Sequence, residues 1–121
     1  MLSEIRNPRQ IEGEGRRRWF TDRDFDLIVW YDRPGVLSGF QLCYDKSGFE
    51  RALTWRADGG YSHERVDDGE TPGRPFKMSP MLVPDGVFAH NEVAKRFWEA
   101  SAGLEAALRR FVHDRLLEFP A

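Results

Sequence analysis

Between Gly39 and Asp68 apolar and polar residues alternate. Two Gly-containing breaks, Asp45 to Gly48 and Ala57 to Gly60, cut the stretch into three runs. A period of two places successive side chains on opposite faces, so these runs suit strands and not an amphipathic helix. Asp-Gly between two such runs is a strong hairpin signal. The expectation is a three-stranded antiparallel meander around which the rest of the chain is arranged. With Lys46 and Ser47 at the first tip, Tyr44 faces Phe49, Leu42 faces Arg51 and Phe40 faces Leu53. With Asp58-Gly59 as a two-residue second turn, Trp55 faces Ser62, Thr54 faces His63 and Arg56 faces Tyr61. One side then carries Phe40, Leu42, Tyr44, Phe49, Leu53, Trp55 and Val66 as core. The other carries Gln41, Cys43, Thr54, Arg56, Tyr61, His63 and Arg65. A one-residue slip would exchange the faces of the last strand.

The remaining chain reads as one domain over 1–121. Residues 1–15 are an irregular lead-in, with a short helical turn expected near Ser3 to Arg6. Residues 16–83 form the antiparallel sheet and 90–118 the C-terminal helices. Arg17 to Thr21 reads as the first strand. Phe25 to Asp32 reads as the second, with Leu27, Val29 and Tyr31 on one face and Ile28 and Trp30 on the other. Apolar residues on both sides predict a central strand, covered at least in part on both faces. Pro34 and Gly35 then make a turn, proline setting φ and glycine free to take a positive one. Phe76 to Val83 is interrupted by Pro80, which belongs at a sheet edge or bulge.

From Asn91 the period lengthens to three and four residues, through Val93, Ala94, Phe97, Trp98, Leu104, Leu108, Phe111 and Val112. That is an amphipathic helical stripe. Gly103 divides it into two helices, about Asn91 to Ala102 and Leu104 to Glu118, with Asn91 or His90 as the first N-cap. The fold expected is α+β: an antiparallel β-meander of about five or six strands with two C-terminal helices packed on one face.

Some function classes are disfavoured at this stage. The net charge of −2 argues against a polyelectrolyte role. The single cysteine, Cys43, permits no intrachain disulfide, which fits a reducing compartment. No apolar run reaches membrane-spanning length and the first residues lack a hydrophobic signal core. A cytoplasmic location without a membrane partner is therefore the expectation.

The segments Phe40 to Lys46, Ala52 to Trp55, Tyr61 to Glu70 and Met81 to Gly86 resemble a family of small uncharacterised bacterial proteins. The resemblance spans roughly residues 16–105. It implies a bacterial single-domain protein and carries no activity, ligand or site residue with it.

Several groups of residues invite a chemical reading. His63 with Asp67, Asp68 and Glu70 is a candidate acid–base or metal-dependent catalytic set, since imidazole and carboxylates do both kinds of work. Along an extended strand His63 and Asp67 lie about 13 Å apart, so only a sharp bend near Asp67 to Gly69 would gather them. Thr54, Arg56, Tyr61 and His63 are a candidate ligand-binding set on the polar sheet face, arginine offering a charged fork and tyrosine an apolar body with a polar tip. The alternative is an ordinary solvated sheet face. Cys43 and His63 would stand on the order of 15 Å apart, too far for a nucleophile and its base. Arg16 to Arg18 beside Trp19 and Phe20 echo a basic–aromatic nucleic-acid surface, opposed by the net charge. Glu12 to Gly15 begin like a phosphate loop but lack its third glycine. No cofactor motif stands in the chain. A binding or protein-interaction module comes first among the readings, a small enzyme second and a nucleic-acid binder third. A helical stripe wider than the sheet would mark a homo-oligomer surface.

Overall fold

The structure is a computed structural model. It describes residues 1–6, 10, 16–46, 48, 50–67, 81–84 and 88–120, with the backbone alone for 66, 67 and 81–84. Among the described residues seven strands run β1 Ser3–Glu4, β2 Arg16–Thr21, β3 Asp26–Arg33, β4 Val36–Tyr44, β5 Arg51–Arg56, β6 Gly60–Asp67 and β7 Met81–Pro84. They form one sheet in sequence order, every neighbour antiparallel. Two helices follow, α1 His90–Ala100 and α2 Ala106–Leu117, and both pack on one face. This is the expected α+β meander with its C-terminal helical layer. A further short strand, β1, lies at the edge.

The core lies between that face and the helices. Leu27, Val29, Phe40, Leu42 and Leu53 from the sheet meet Val93, Ala94, Phe97, Val112 and Leu116 from the helices, all buried. Fully burying one such aliphatic or aromatic side chain is worth about 1.5–3 kcal/mol. The helix stripe is used almost entirely. Phe97 meets Phe25 edge-on, and Phe111 lies against Trp55. Leu117 is the one large apolar side chain of the two helices that is exposed among the described residues.

Each turn shows why the strands pair as they do. Asp22 closes β2 to β3, its Oδ1 accepting the amides of Asp24 at 2.8 Å and Phe25 at 2.7 Å. Pro34-Gly35 joins β3 to β4, with Gly35 at φ +78°, the positive φ a type II turn requires. Such a turn matches strand twist less well than the primed types, and the β3–β4 register shifts twice beside it. Asp45 opens the β4–β5 connection at φ 55°. Arg96, at 3.1 Å, and Arg51, at 3.8 Å, hold its carboxylate.

The register corrects the expected one in two places. Tyr44 faces Arg51, Leu42 faces Leu53 and Phe40 faces Trp55. This is two residues from the expected pairing, so the faces are kept. Leu53 faces His63, Thr54 faces Ser62 and Trp55 faces Tyr61. This is one residue from the expected pairing, so the faces of β6 are exchanged. The cause is the turn. Three residues, Ala57 to Gly59, lie between the paired Arg56 and Gly60. The Gly59 amide donates to the Arg56 carbonyl, and Gly60 carries the positive φ of +74°. A turn followed by a left-handed glycine makes an odd loop. Tyr61 and His63 therefore join the core side. Phe49 lies outside the described residues, and for Val66 only the backbone is described.

Two smaller corrections concern ends. Ser3–Glu4 is a strand against Thr21 and Phe20, not a helical turn. Buried Leu2 donates its amide to the Ala100 carbonyl, which lays the following residues along β2. Neither His90 nor Asn91 caps α1. Ala89 occupies that position without a side-chain hydrogen bond, because the helix begins two residues earlier than an asparagine cap at 91 would allow. Its far end is closed by Arg109, which donates to the Trp98 carbonyl and stacks 3.6 Å over the Trp98 ring.

Candidate functional site

The sheet face turned away from the helices is built by cross-strand pairs. Direct partners share a face in an antiparallel sheet. Arg17 faces Trp30, Trp30 faces Gly39 and Gly39 faces Arg56, which makes one row across four strands. The next row is Trp19, Ile28, Gln41, Thr54 and Ser62. The third is Thr21, Asp26, Cys43, Ala52 and Glu64. One end of the face is thus basic and aromatic and the other polar and acidic.

Gly39 makes the first row work. A Cβ there would stand 2.6 Å from the Trp55 carbonyl oxygen and 3.4 Å from Arg56 Cγ. With no side chain between them, the Arg56 guanidinium crosses the gap and lies 4.8 Å from the Trp30 ring centroid. That is cation–π range. Trp19, on the neighbouring row, is 36% exposed. In the third row Lys46 Nζ joins Asp26 at 3.0 Å, Thr21 at 3.2 Å and the Asp22 carbonyl at 2.8 Å, so its charge is matched within the protein.

The expected ligand set is divided by the β6 register. Thr54 and Arg56 lie on this open face, Thr54 buried within it, and Tyr61 and His63 lie on the helix side. Tyr61 donates to the Arg115 carbonyl at 2.6 Å and packs edge-on against Phe119. His63 is buried. Its Nε2 shares a 2.5 Å hydrogen bond with the Tyr44 hydroxyl, and its ring lies among Tyr44, Phe88 and Phe119. Of its proposed carboxylate partners, Asp67 ends β6 and Asp68 and Glu70 lie outside the described residues. Among the described residues no three His, Cys, Asp or Glu side chains are grouped to hold a metal ion. Cys43 lies on the face opposite His63. Burial, with Glu50 and Asp26 nearby, pushes its thiol up to about 12. It stays protonated at neutral pH, the unreactive form.

The arginine run is also split by strand alternation. Arg17 points to the open face, Arg16 and Arg18 to the helix side. Arg18 is gripped by Glu4 through two bonds of 2.9 and 2.8 Å and by Glu105 through two of 3.2 and 2.5 Å. The Tyr31 hydroxyl accepts a longer bond from it at 3.4 Å. Hydrogen bonds from Arg18 hold both carboxyls below their usual range. Glu105 is the N-cap residue of α2 without a capping bond, because its carboxylate is engaged with Arg18. Beside this triad opens a cleft of about 540 Å³, lined by Glu4, Arg16, Arg18, Tyr31, Asp32, Arg33 and the turn behind them. Sequence reasoning missed the cleft, because its parts are far apart in the chain, Arg18 and Glu105 alone being separated by 87 residues.

No helix among the described residues is long and apolar enough to cross a membrane. Comparisons with protein-family models, curated proteins and solved structures return no match to this chain.

Proposed function

We propose that this chain is a non-catalytic binding module that takes a flat, negatively charged ligand on its open sheet face. The observation that carries the reading is the row Arg17–Trp30–Gly39–Arg56, in which the Arg56 guanidinium lies over the Trp30 indole across a bare glycine and Arg17 pairs with Trp30 on the next strand. Indole faces stack on planar rings, and the sequence-tolerant capture of bases by sheet aromatics rests on this. Arginine adds charge and a planar surface of its own. Trp19 extends the stacking surface by one row, and Gln41 offers a hydrogen-bonding group beside it. Of the expected site, Arg56 belongs to this reading, while Thr54 is buried beneath the face. The acid–base reading around His63 draws no support from the ring's surroundings.

The test uses tryptophan fluorescence. The protein is titrated at low salt with a purine mononucleotide and, separately, with a short single-stranded oligonucleotide. The expected result is quenching by at least one probe, abolished in Trp30→Ala and weakened about tenfold in Arg56→Ala, the cost of losing a charged, stacked contact. Saturation by the mononucleotide points to a small ligand. Quenching by the oligonucleotide alone, falling steeply with added salt, points to a strand. No change of emission with either probe removes the reading.

A further inference from the structure

The cleft beside Arg18 carries charge of both signs, and its arrangement is unequal. Two carboxylates, Glu4 and Glu105, converge on the single guanidinium of Arg18. Both are held ionised by it at neutral pH. The triad therefore has a formal charge of −1, with carboxylate lone pairs still turned to solvent: Glu4 is 41% and Glu105 62% exposed. On the same cleft stand Arg16 and Arg33, both exposed and neither joined in an ion pair among the described residues. Asp32 also lines it, and balances the formal sum of the lining charges to zero.

A cavity of this size suits a small molecule. A ligand of one charge would meet its opposite and its like together. A ligand with an ammonium and a carboxylate a few bonds apart would satisfy both ends. We propose that the cleft binds a small zwitterion of the free amino-acid class, its ammonium at the solvent-turned oxygens of Glu4 and Glu105 and its carboxylate toward Arg16 and Arg33. The Tyr31 ring, part-buried beside Arg18, forms an apolar wall along which a side chain would lie. Because the cleft is on the helix side of the sheet and the Trp30 row on the other, this proposal stands apart from the open-face reading.

The test is a thermal shift and a heteronuclear NMR titration with phenylalanine, phenethylamine and hydrocinnamate at equal concentration. These share one ring and differ only in which charges they carry. Alanine serves as the smaller zwitterion. The expected result is that phenylalanine raises the melting temperature and moves the Tyr31 and Arg33 amide signals. The amine and the acid should each bind about tenfold more weakly or worse, since each lacks one charge-assisted contact. Arg33→Ala and Glu105→Gln, both at exposed positions, should each weaken phenylalanine by about tenfold while the amide spectrum stays folded. Equal binding of the zwitterion and either single-charge probe overturns the proposal. So does the absence of any shift with phenylalanine or alanine at millimolar concentration.

Discussion

The two faces of this sheet use the same kinds of residue for opposite ends. On the helix side Tyr44, Tyr61 and His63 turn their polar atoms to partners inside the protein, and with Trp55 they turn their rings to Phe88, Phe111 and Phe119. On the open side Trp19 and Trp30 share a surface with Arg17 and Arg56, and no helix among the described residues covers it. The difference lies in what stands opposite each ring: a second aromatic layer on one side, solvent and guanidinium groups on the other. A buried polar atom must be partnered within the fold, and His63 has such a partner in Tyr44. A tryptophan on the second side keeps a face that another molecule can reach.

Adjacent residues of β4 give the sharpest way to break that contrast. Leu42 is fully buried on the helix side, while Gln41 lies on the open side. Leu42→Ala should lower unfolding free energy by about 3 kcal/mol, the range for large-to-small core substitutions. Gln41→Ala should stay within about 0.5 kcal/mol, as at other surface positions. Urea denaturation of the two variants measures this, and equal losses would mean that the open face is also core.

The next effect concerns the assignment of His63. His63→Leu and Tyr44→Phe should each cost about 1–3 kcal/mol, because each takes away a buried polar partner. The double variant should cost less than the sum, with a coupling of about 1 kcal/mol. Strict additivity in the double-mutant cycle would show that the two side chains do not act together.

The smallest effect sharpens the comparison at the sheet edge. Glu4 and Glu105 have their carboxyls lowered by hydrogen bonds from Arg18. Groups with a lowered folded-state value stabilise above the unfolded value and lose that contribution as pH falls through the folded one. Stability should therefore decline below about pH 4.5, the ordinary glutamate value, and Arg18→Gln should flatten the decline. Both carboxylates are well exposed, so the difference in melting temperature should be only about 2 °C. Parallel pH profiles for the two proteins would show that the triad contributes nothing to folding.

Much of the architecture was legible before any coordinates. The alternation at Phe40, Leu42 and Tyr44 identified the buried side of β4, and Leu27 and Val29 did the same for β3. Pro34-Gly35 marked its turn, and the longer period after Asn91 marked two helices. The site was legible only in fragments. Thr54 and Arg56 were placed on the open face, but Tyr61 and His63 were placed beside them by assuming a two-residue turn. Asp58-Gly59 invited that choice, and Gly60, which takes the positive φ, was the residue that argued against it. Nothing local indicated that Gly39 would leave room for Arg56 over Trp30, because that depends on which residues stand opposite it on both neighbouring strands.

The amino-acid order alone determined the succession of strands and helices and the inward side of the central strands. Those properties follow from side-chain period and from short loops that force neighbours to pair. The fold alone decided which way β6 faces, that His63 is a core residue, and that Glu4, Arg18 and Glu105 meet at one cleft. A single extra loop residue inverts a strand without changing its composition, and an ion pair between distant segments leaves no periodic trace along the chain.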